Sequence, residues 1–369
     1  MATQQQGAYY QLPAALLLLA LLGPPSGSPG AAAPAQVASS AAAVATAAGR
    51  APAAAAASAA FLFTPDVVAS TNLTRAAGRP VKGDGPVLVA EHPWENSLIF
   101  GHSIITVGAV IRLYYNTYTA TSGSFVCMAT SSDEGRTFTK PNLGLVAFCN
   151  TSATNIVLAL TREPGKVVVA GAAFVDDRAG VPPDARYKLT SEHAGNVGMD
   201  MWASADGLSW RLLVPRMLPS YFADTQAVVY FDPASKEYLA YGRLHAGTPP
   251  STEPARACPG ASASYRQVGF ASTRNSSLTS WSPVKQILGF QGLPQCVDVY
   301  NNAAVKAASN AYLMLPSLFR HFPTDPANLP GSDGVLDVRL AISSDGQVRS
   351  AGASFPAPLT PTTTLCCWI

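Results

Sequence analysis

Charge is scarce in this chain. Lysine, arginine, aspartate and glutamate make up 12% of its 369 residues, and the formal net charge is +2. No run of Lys or Arg occurs anywhere, which argues against nucleic acid as a partner. No segment reaches the roughly 18 apolar residues that a bilayer-spanning helix needs, so no transmembrane segment is expected. No Asp-rich loop calls for calcium, and no cofactor or metal is expected. Glycine (29) and proline (30) are plentiful instead, as an all-β chain with many turns requires.

Residues 1–11 also lack Lys and Arg, the basic start usual in a secretory signal. Even so, residues 12–22 form a short apolar run, and the small residues of 23–28 that follow suit cleavage. Residues 1–28 therefore read as a signal peptide for export, with a plastid transit peptide as the competing reading. Residues 29–60 are an Ala/Pro-rich low-complexity linker, interrupted at Pro34 and Pro52. Residues 61–355 are assigned to the folded domain and 356–369 to an irregular tail. The six cysteines are consistent with export. Cys127 with Cys149 and Cys258 with Cys296 are candidate pairs, and the other reading of the first two is buried small apolar residues. Three glycosylation sequons, at Asn72, Asn150 and Asn275, point the same way.

One short phrase recurs about every 70 residues. Its copies hold Ser131, Asp133, Gly135 and Phe138; Ser204, Asp206, Gly207 and Trp210; a worn Thr273, Asn275 and Trp281; and Ser343, Asp345 and Gly346. A strand-like run precedes each copy, at 124–129, 197–203, 267–271 and 336–341. Asp accepts hydrogen bonds from backbone amides two residues on, and Gly tolerates positive φ, so the phrase reads as a hairpin turn. The aromatic that follows is free to pack between neighbouring sheets. A repeat of this length and chemistry is the mark of a β-propeller blade.

In a propeller, residues at the start of each inner strand converge on a central channel. By spacing, Glu95, Asn155, Asp224 and Asp298 ring one mouth of it. Carboxylates in a concave site suit glycosidic cleavage, where one protonates the leaving oxygen and another attacks or activates water. Asp224, Asp298 and Glu95 are thus the candidate catalytic residues. Asn155, Arg243, Arg320 and His321, at strand ends, are candidates for binding sugar hydroxyls, although Arg and His there commonly pair with a nearby Asp. Trp94, Tyr114 and Tyr300 are candidates for stacking on a sugar ring, although such aromatics are more often core.

The stretch Ser-Asp-Glu-Gly-Arg-Thr-Phe-Thr-Lys-Pro-Asn-Leu-Gly-Leu-Val at 132–146 resembles a phrase in secreted proteins related to glycoside hydrolase family 32. Pro93-Trp94-Glu95, Asp224-Thr225-Gln226, Phe231-Asp232-Pro233, Arg320-His321-Phe322 and the segment 336–341 look like further shared phrases. The resemblance implies a five-bladed β-propeller of the family 32, 43, 62 and 68 superfamily, and a glycosidase acting on an oligosaccharide or polysaccharide. The chain departs from that family by lacking its Trp-Met-Asn-Asp-Pro-Asn-like, Arg-Asp-Pro and Glu-Cys segments. Phe231-Asp232-Pro233 imitates the second but is placed in a turn. Four repeats are visible where the family has five blades, and the last residues do not read as a closing strand, so the propeller is expected to be incomplete at its C-terminal end. Two alternatives stand beside the glycosidase: a non-catalytic carbohydrate-binding or surface-interaction propeller, and a sialidase-like enzyme. The last ranks lowest, because no Arg recurs at the inner-strand position.

Overall fold

The computed structural model describes residues 85–347, apart from 97, 194–197, 219–226, 248–250, 252–264, 291–292, 309–310, 322–333, 340 and 344. The signal peptide, the Ala-rich linker, the tail, Asn72, Cys258 and Asp224 lie outside the described residues. Within them the chain is nearly all strand, and no helix is long and apolar enough to cross a membrane.

The strands form four antiparallel blades. Blade 1 holds β1 (Leu98–Val107), β2 (Val110–Thr119), β3 (Gly123–Ser131) and β4 (Ile156–Thr161), in that order. Blade 2 holds β5 (Ala170–Val175), β6 (Tyr187–Glu192), β7 (Met199–Ser204) and β8 (Arg211–Leu218). Blade 3 holds β9 (Val228–Asp232), β10 (Glu237–His245), β11 (Arg266–Thr273) and β12 (Lys285–Leu288).

Blade 4 is three long strands, each bent once. β13 (Val297–Asn301) leads to β14 (Ala304–Ala308), β15 (Ala311–Met314) to β16 (Ser317–His321), and β17 (Gly334–Val338) to β18 (Ala341–Ser343). The bend splits the blade into sheets β13-β16-β17 and β14-β15-β18. Pro316 has no N–H to donate and interrupts the ladder there. Leu315 N–H donates to Ala303 (2.9 Å) and Arg339 N–H to Pro316 (2.9 Å), which staples the bend. The expected propeller is present, but the described residues form four blades rather than five, one for each copy of the repeated turn.

β1 packs on β5 and β5 on β9, so the first strand of blades 1, 2 and 3 is the inner one. Where two inner strands meet, side chains are small. A Cβ on Gly171 would come within 2.5 Å of the Ala227 carbonyl and 2.1 Å of Thr190 Oγ1. The apolar cores lie between blades. Tyr114, Val126 and Leu158 of blade 1 face Ala173 and Leu189 of blade 2, and Tyr241 and Phe270 of blade 3 face Val299 and Met314 of blade 4. Sheets covered on both faces explain why β3 is buried at nearly every position instead of alternating.

The repeated turn does what its chemistry predicts. Asp206 Oδ1 accepts from Ser204 Oγ (2.9 Å) and from the N–H groups of Leu208 (2.8 Å) and Ser209 (3.0 Å). Asp345 accepts in the same way from Ser343 and Gln347. Gly207 and Gly346 have φ of 74° and 75°. The turns of blades 2 and 4 also clip their blades to the preceding ones. Tyr114 Oη donates to the Gly207 carbonyl (2.8 Å) and Tyr241 Oη to that of Gly346 (2.9 Å). Trp210 packs edge-on against Tyr114 across the same junction. Tyr114 is therefore a core residue, not a sugar platform.

Cys127 and Cys149 are free thiols, the first fully buried and the second exposed, so they do not form the expected pair. Cys127 instead packs as a small apolar side chain against Phe125, Phe148 and Ile156. Cys296 is disulfide-bonded.

Candidate active site

The second strand of a blade runs antiparallel to the inner one, so it ends at the face where inner strands begin. We call this the upper face. The end of β6, the ends of β10 and β16 and the starts of β7, β11 and β13 all gather there.

The sequence-selected residues fall into two groups. Glu95 and Trp94 sit in a 3-10 turn (Pro93–Glu95) on the face of blade 1 that turns away from blade 2. Glu95 is 1% exposed and its carboxylate is saturated. Oε2 accepts from the N–H groups of Glu91 (2.8 Å) and His92 (3.1 Å) and from Lys140 Nζ (2.8 Å), and Oε1 accepts from Tyr115 Oη (2.6 Å). Burial alone would raise its pKa, but the Glu91 amide, Lys140 and Tyr115 outweigh that and hold it below the ordinary carboxylate value. A general acid must carry a proton, and this carboxyl is held against taking one. Its geometry is that of a brace.

Asn155 belongs to the same brace. It precedes β4, the outer strand of blade 1, and so does not open an inner strand as its spacing predicted. Its amide donates to Tyr115 Oη (2.5 Å) and the Met128 carbonyl (2.9 Å), and its Oδ1 accepts from Trp94 Nε1 (3.0 Å). Trp94 is 3% exposed, stacked on His92 and tilted against Phe148, which leaves no face for a sugar.

The second group lies at the upper face between blades 3 and 4. Asp298, on β13, has a side chain sealed from solvent. Its Oδ2 accepts from Arg266 N–H (2.9 Å) and more distantly from Arg266 Nη1 (3.4 Å), with His321 Nε2 3.5 Å away. Among the described residues its Oδ1 has no hydrogen-bond partner. Arg243, at the end of β10, donates through Nε to the Tyr300 carbonyl (3.0 Å) and through Nη2 to Asn301 Oδ1 (2.8 Å). The guanidinium groups of Arg243 and Arg266 lie 4.3 and 4.6 Å from the centre of the Tyr300 ring. His321 stands edge-on to Phe319. Arg320 points elsewhere and pairs with Asp337 (3.2 Å) on the adjacent strand.

The structure thus gathers Asp298, Arg243, His321, Arg266 and Tyr300, and separately gathers Glu95, Trp94 and Asn155. No hydrogen bond or ion pair among the described residues joins the two sets. Of the four residues expected to ring one mouth of the channel, Glu95 and Asn155 lie in a brace on blade 1, Asp298 lies in a cluster on blades 3 and 4, and Asp224 is outside the described residues.

Solved structures supply the fold comparison. The chain is similar to a β-fructofuranosidase from Schwanniomyces occidentalis complexed with fructosyl-erythritol, at 13% identity and TM-score 0.42, over 67% of this chain and 44% of that one. It is similar to an α-L-arabinanase from Cellvibrio cellulosa (8%, TM-score 0.41, 68% and 78% covered) and to an endo-arabinase from Bacteroides thetaiotaomicron (12%, TM-score 0.41, 71% and 81% covered). These neighbours are glycoside hydrolases. The chain spans less than half the length of the fructofuranosidase. No protein-family model and no curated protein matches it.

Spacing from the turns missed Asn116 and Glu192, which a different alignment places at the position equivalent to Arg243. Tyr187 and Tyr238 pair with Ser204 and Thr273, the first residues of their turn phrases, as Ile111 pairs with Ser131. Five positions beyond Ile111, Tyr187 and Tyr238 stand Asn116, Glu192 and Arg243, all buried at the upper face. Asn116 Oδ1 accepts from Ala170 N–H (2.7 Å) and Glu192 Oε2 from Val169 N–H (3.0 Å), so each ties a second strand to the start of an inner one.

Toward the lower face two buried carboxylates clamp successive blades. Asp176, which follows β5, accepts from Lys188 Nζ (2.7 Å), Arg178 Nε (3.0 Å) and Tyr238 Oη of the next blade. Asp232, at the end of β9, accepts from Tyr312 Oη (2.6 Å) and Lys306 Nζ, both of the next blade. Burial alone would raise both pKa values, but these donors hold both below the ordinary range. Phe231-Asp232-Pro233 therefore marks a blade junction.

Proposed function

We propose that this chain is a glycoside hydrolase working at the upper face between blades 3 and 4, with Asp298 as one of its carboxylates. The observation that carries this is the Asp298 oxygen that has no partner among the described residues, on a side chain sealed from solvent. An unsatisfied buried acceptor costs about 1–3 kcal/mol, and native proteins keep few of them. Arg266 fixes one oxygen and leaves the other open, which suits a nucleophile or a base for water. Asp224, which leads into β9 in sequence, is the proposed second carboxylate. A separation of about 5–5.5 Å would give retention and about 6.5–9.5 Å inversion. Arg243 and His321 would bind sugar hydroxyls.

Export to the cell exterior, with plastid import as its alternative, belongs to the same proposal and rests on the apolar run at 12–22. The sequon residue Asn150 is exposed, as a glycan would require.

A second reading, a carbohydrate-binding propeller without chemistry, is favoured by the complete burial of Asp298 and the missing family segments. Reducing-sugar release separates the two. Asp298→Asn should remove it by about 10⁴-fold or more if this carboxylate does chemistry. Glycan binding without release would establish the second reading.

A further inference from the structure

A histidine–aspartate pair on blade 2 has no place in the site just described. His193 follows the last residue of β6 at the upper face. Its Nδ1 lies 2.7 Å from Asp200 Oδ1, and the two side chains are 22% and 6% exposed. Asp200 Oδ1 also accepts from Arg216 N–H (3.0 Å). A carboxylate oxygen between two donors assigns the hydrogen to Nδ1 and leaves Nε2 as the open nitrogen. Among the described residues Nε2 has no partner.

The backbone is distorted to hold this pair. β7 and β8 slip out of register, so that Met199 faces Leu218 while Met201 faces Val214. The extra residues include Pro215 and Arg216, whose φ of 52° turns its N–H onto Asp200. Gly198 has φ 140°, its carbonyl accepts from His193 N–H (2.7 Å), and a Cβ there would come within 2.8 Å of the Leu218 carbonyl. A bulge that re-aims one donor, beside a glycine that no other residue can replace without strain, is how sheets build a site at their rim. The neighbouring Glu192 is tied on both sides to Val169, so the segment is pinned at the start of an inner strand.

We propose that His193 contacts substrate, with Nε2 bonding a hydroxyl of a neutral sugar and Asp200 acting as the positioning residue. Among the described residues the charged side chain bonded to the ring is Asp200, and its sign disfavours carboxylated or sulfated sugars here. The inference rests on the upper face being the sugar-binding face, as proposed above.

The test is histidine NMR on the full chain labelled at its five histidines, with His193→Ala assigning the signals. Sucrose, arabinobiose and xylobiose are the neutral probes, and digalacturonate is the anionic one. The expected result is movement of the His193 signals with a neutral disaccharide and not with digalacturonate. His193→Ala should weaken that binding tenfold or more with little change in the thermal midpoint. Asp200→Asn should shift the ring's tautomer ratio, read from the nitrogen shifts, which a purely structural loss would not do. Movement at His193 without hydrolysis of any glycan keeps this inference and defeats the hydrolase reading. Hydrolysis that needs Asp298 while the His193 signals stay still overturns this inference alone. No spectral change with any sugar, together with no hydrolysis of any glycan by the folded chain, overturns both.

Discussion

At the scale of single residues, burial and partner count separate two carboxylates that look equivalent in the sequence. Glu95 has four donors and none of its capacity left over, whereas Asp298 keeps one oxygen open. The difference gives a direct contrast. Glu95→Gln leaves Lys140, itself 6% exposed, without its buried counter-charge and should cost about 3 kcal/mol of stability in urea unfolding. Sugar release per folded molecule should be unchanged. Loss of release at full stability would make Glu95 a participant in chemistry instead of a brace.

At the scale of elements, the repeated turn is both a local structure and a contact between blades. A methyl group on Gly207 meets Tyr114 Oη at 2.8 Å and sits on a backbone of φ 74°. Gly207→Ala should therefore destabilise by about 1–3 kcal/mol, and Tyr114→Phe by about 1 kcal/mol through loss of one hydrogen bond. The two effects should not add, because they act on one contact, and a double-mutant cycle by denaturant unfolding reads the coupling. The turns were legible in the sequence because their chemistry is local: Asp206 bonds residues two and three positions on. Asn155 was misplaced because the long stretch between Phe138 and β4 breaks the phase between turns and strands in blade 1. Counting from the second-strand residues Tyr187 and Tyr238 keeps that phase, and it adds Glu192 at the position that Arg243 holds in the next blade. The role of Asp298 was legible only as a position, since its open oxygen depends on Arg266 and His321, distant in sequence.

At the scale of the molecule, buried carboxylates brace blade 1 and clamp successive blades alongside the apolar packing. Glu95 and Asp176 have pKa values lowered from 4.5 and 3.8 on folding. A carboxylate depressed in the native state contributes stability above its unfolded pKa and loses it as pH falls through the folded one. The thermal midpoint should be level above about pH 5 and fall steadily below about pH 4.5. Asp176→Asn should remove part of that slope and cost about 3–5 kcal/mol at neutral pH. A midpoint that instead rises on acidification would contradict the clamp. The count of four blades among the described residues needs no such measurement, since each blade carries one copy of the turn.

The measurement that bears most directly on function is reducing-sugar release from fructans, arabinans, xylans and mixed cell-wall polysaccharides. The full chain should be compared with Asp298→Asn, Asp224→Asn and Glu95→Gln, each checked for folding. Release is expected from the parent chain and from Glu95→Gln, and none from either Asp variant. Release that survives Asp298→Asn, or no release by any folded protein, would contradict it.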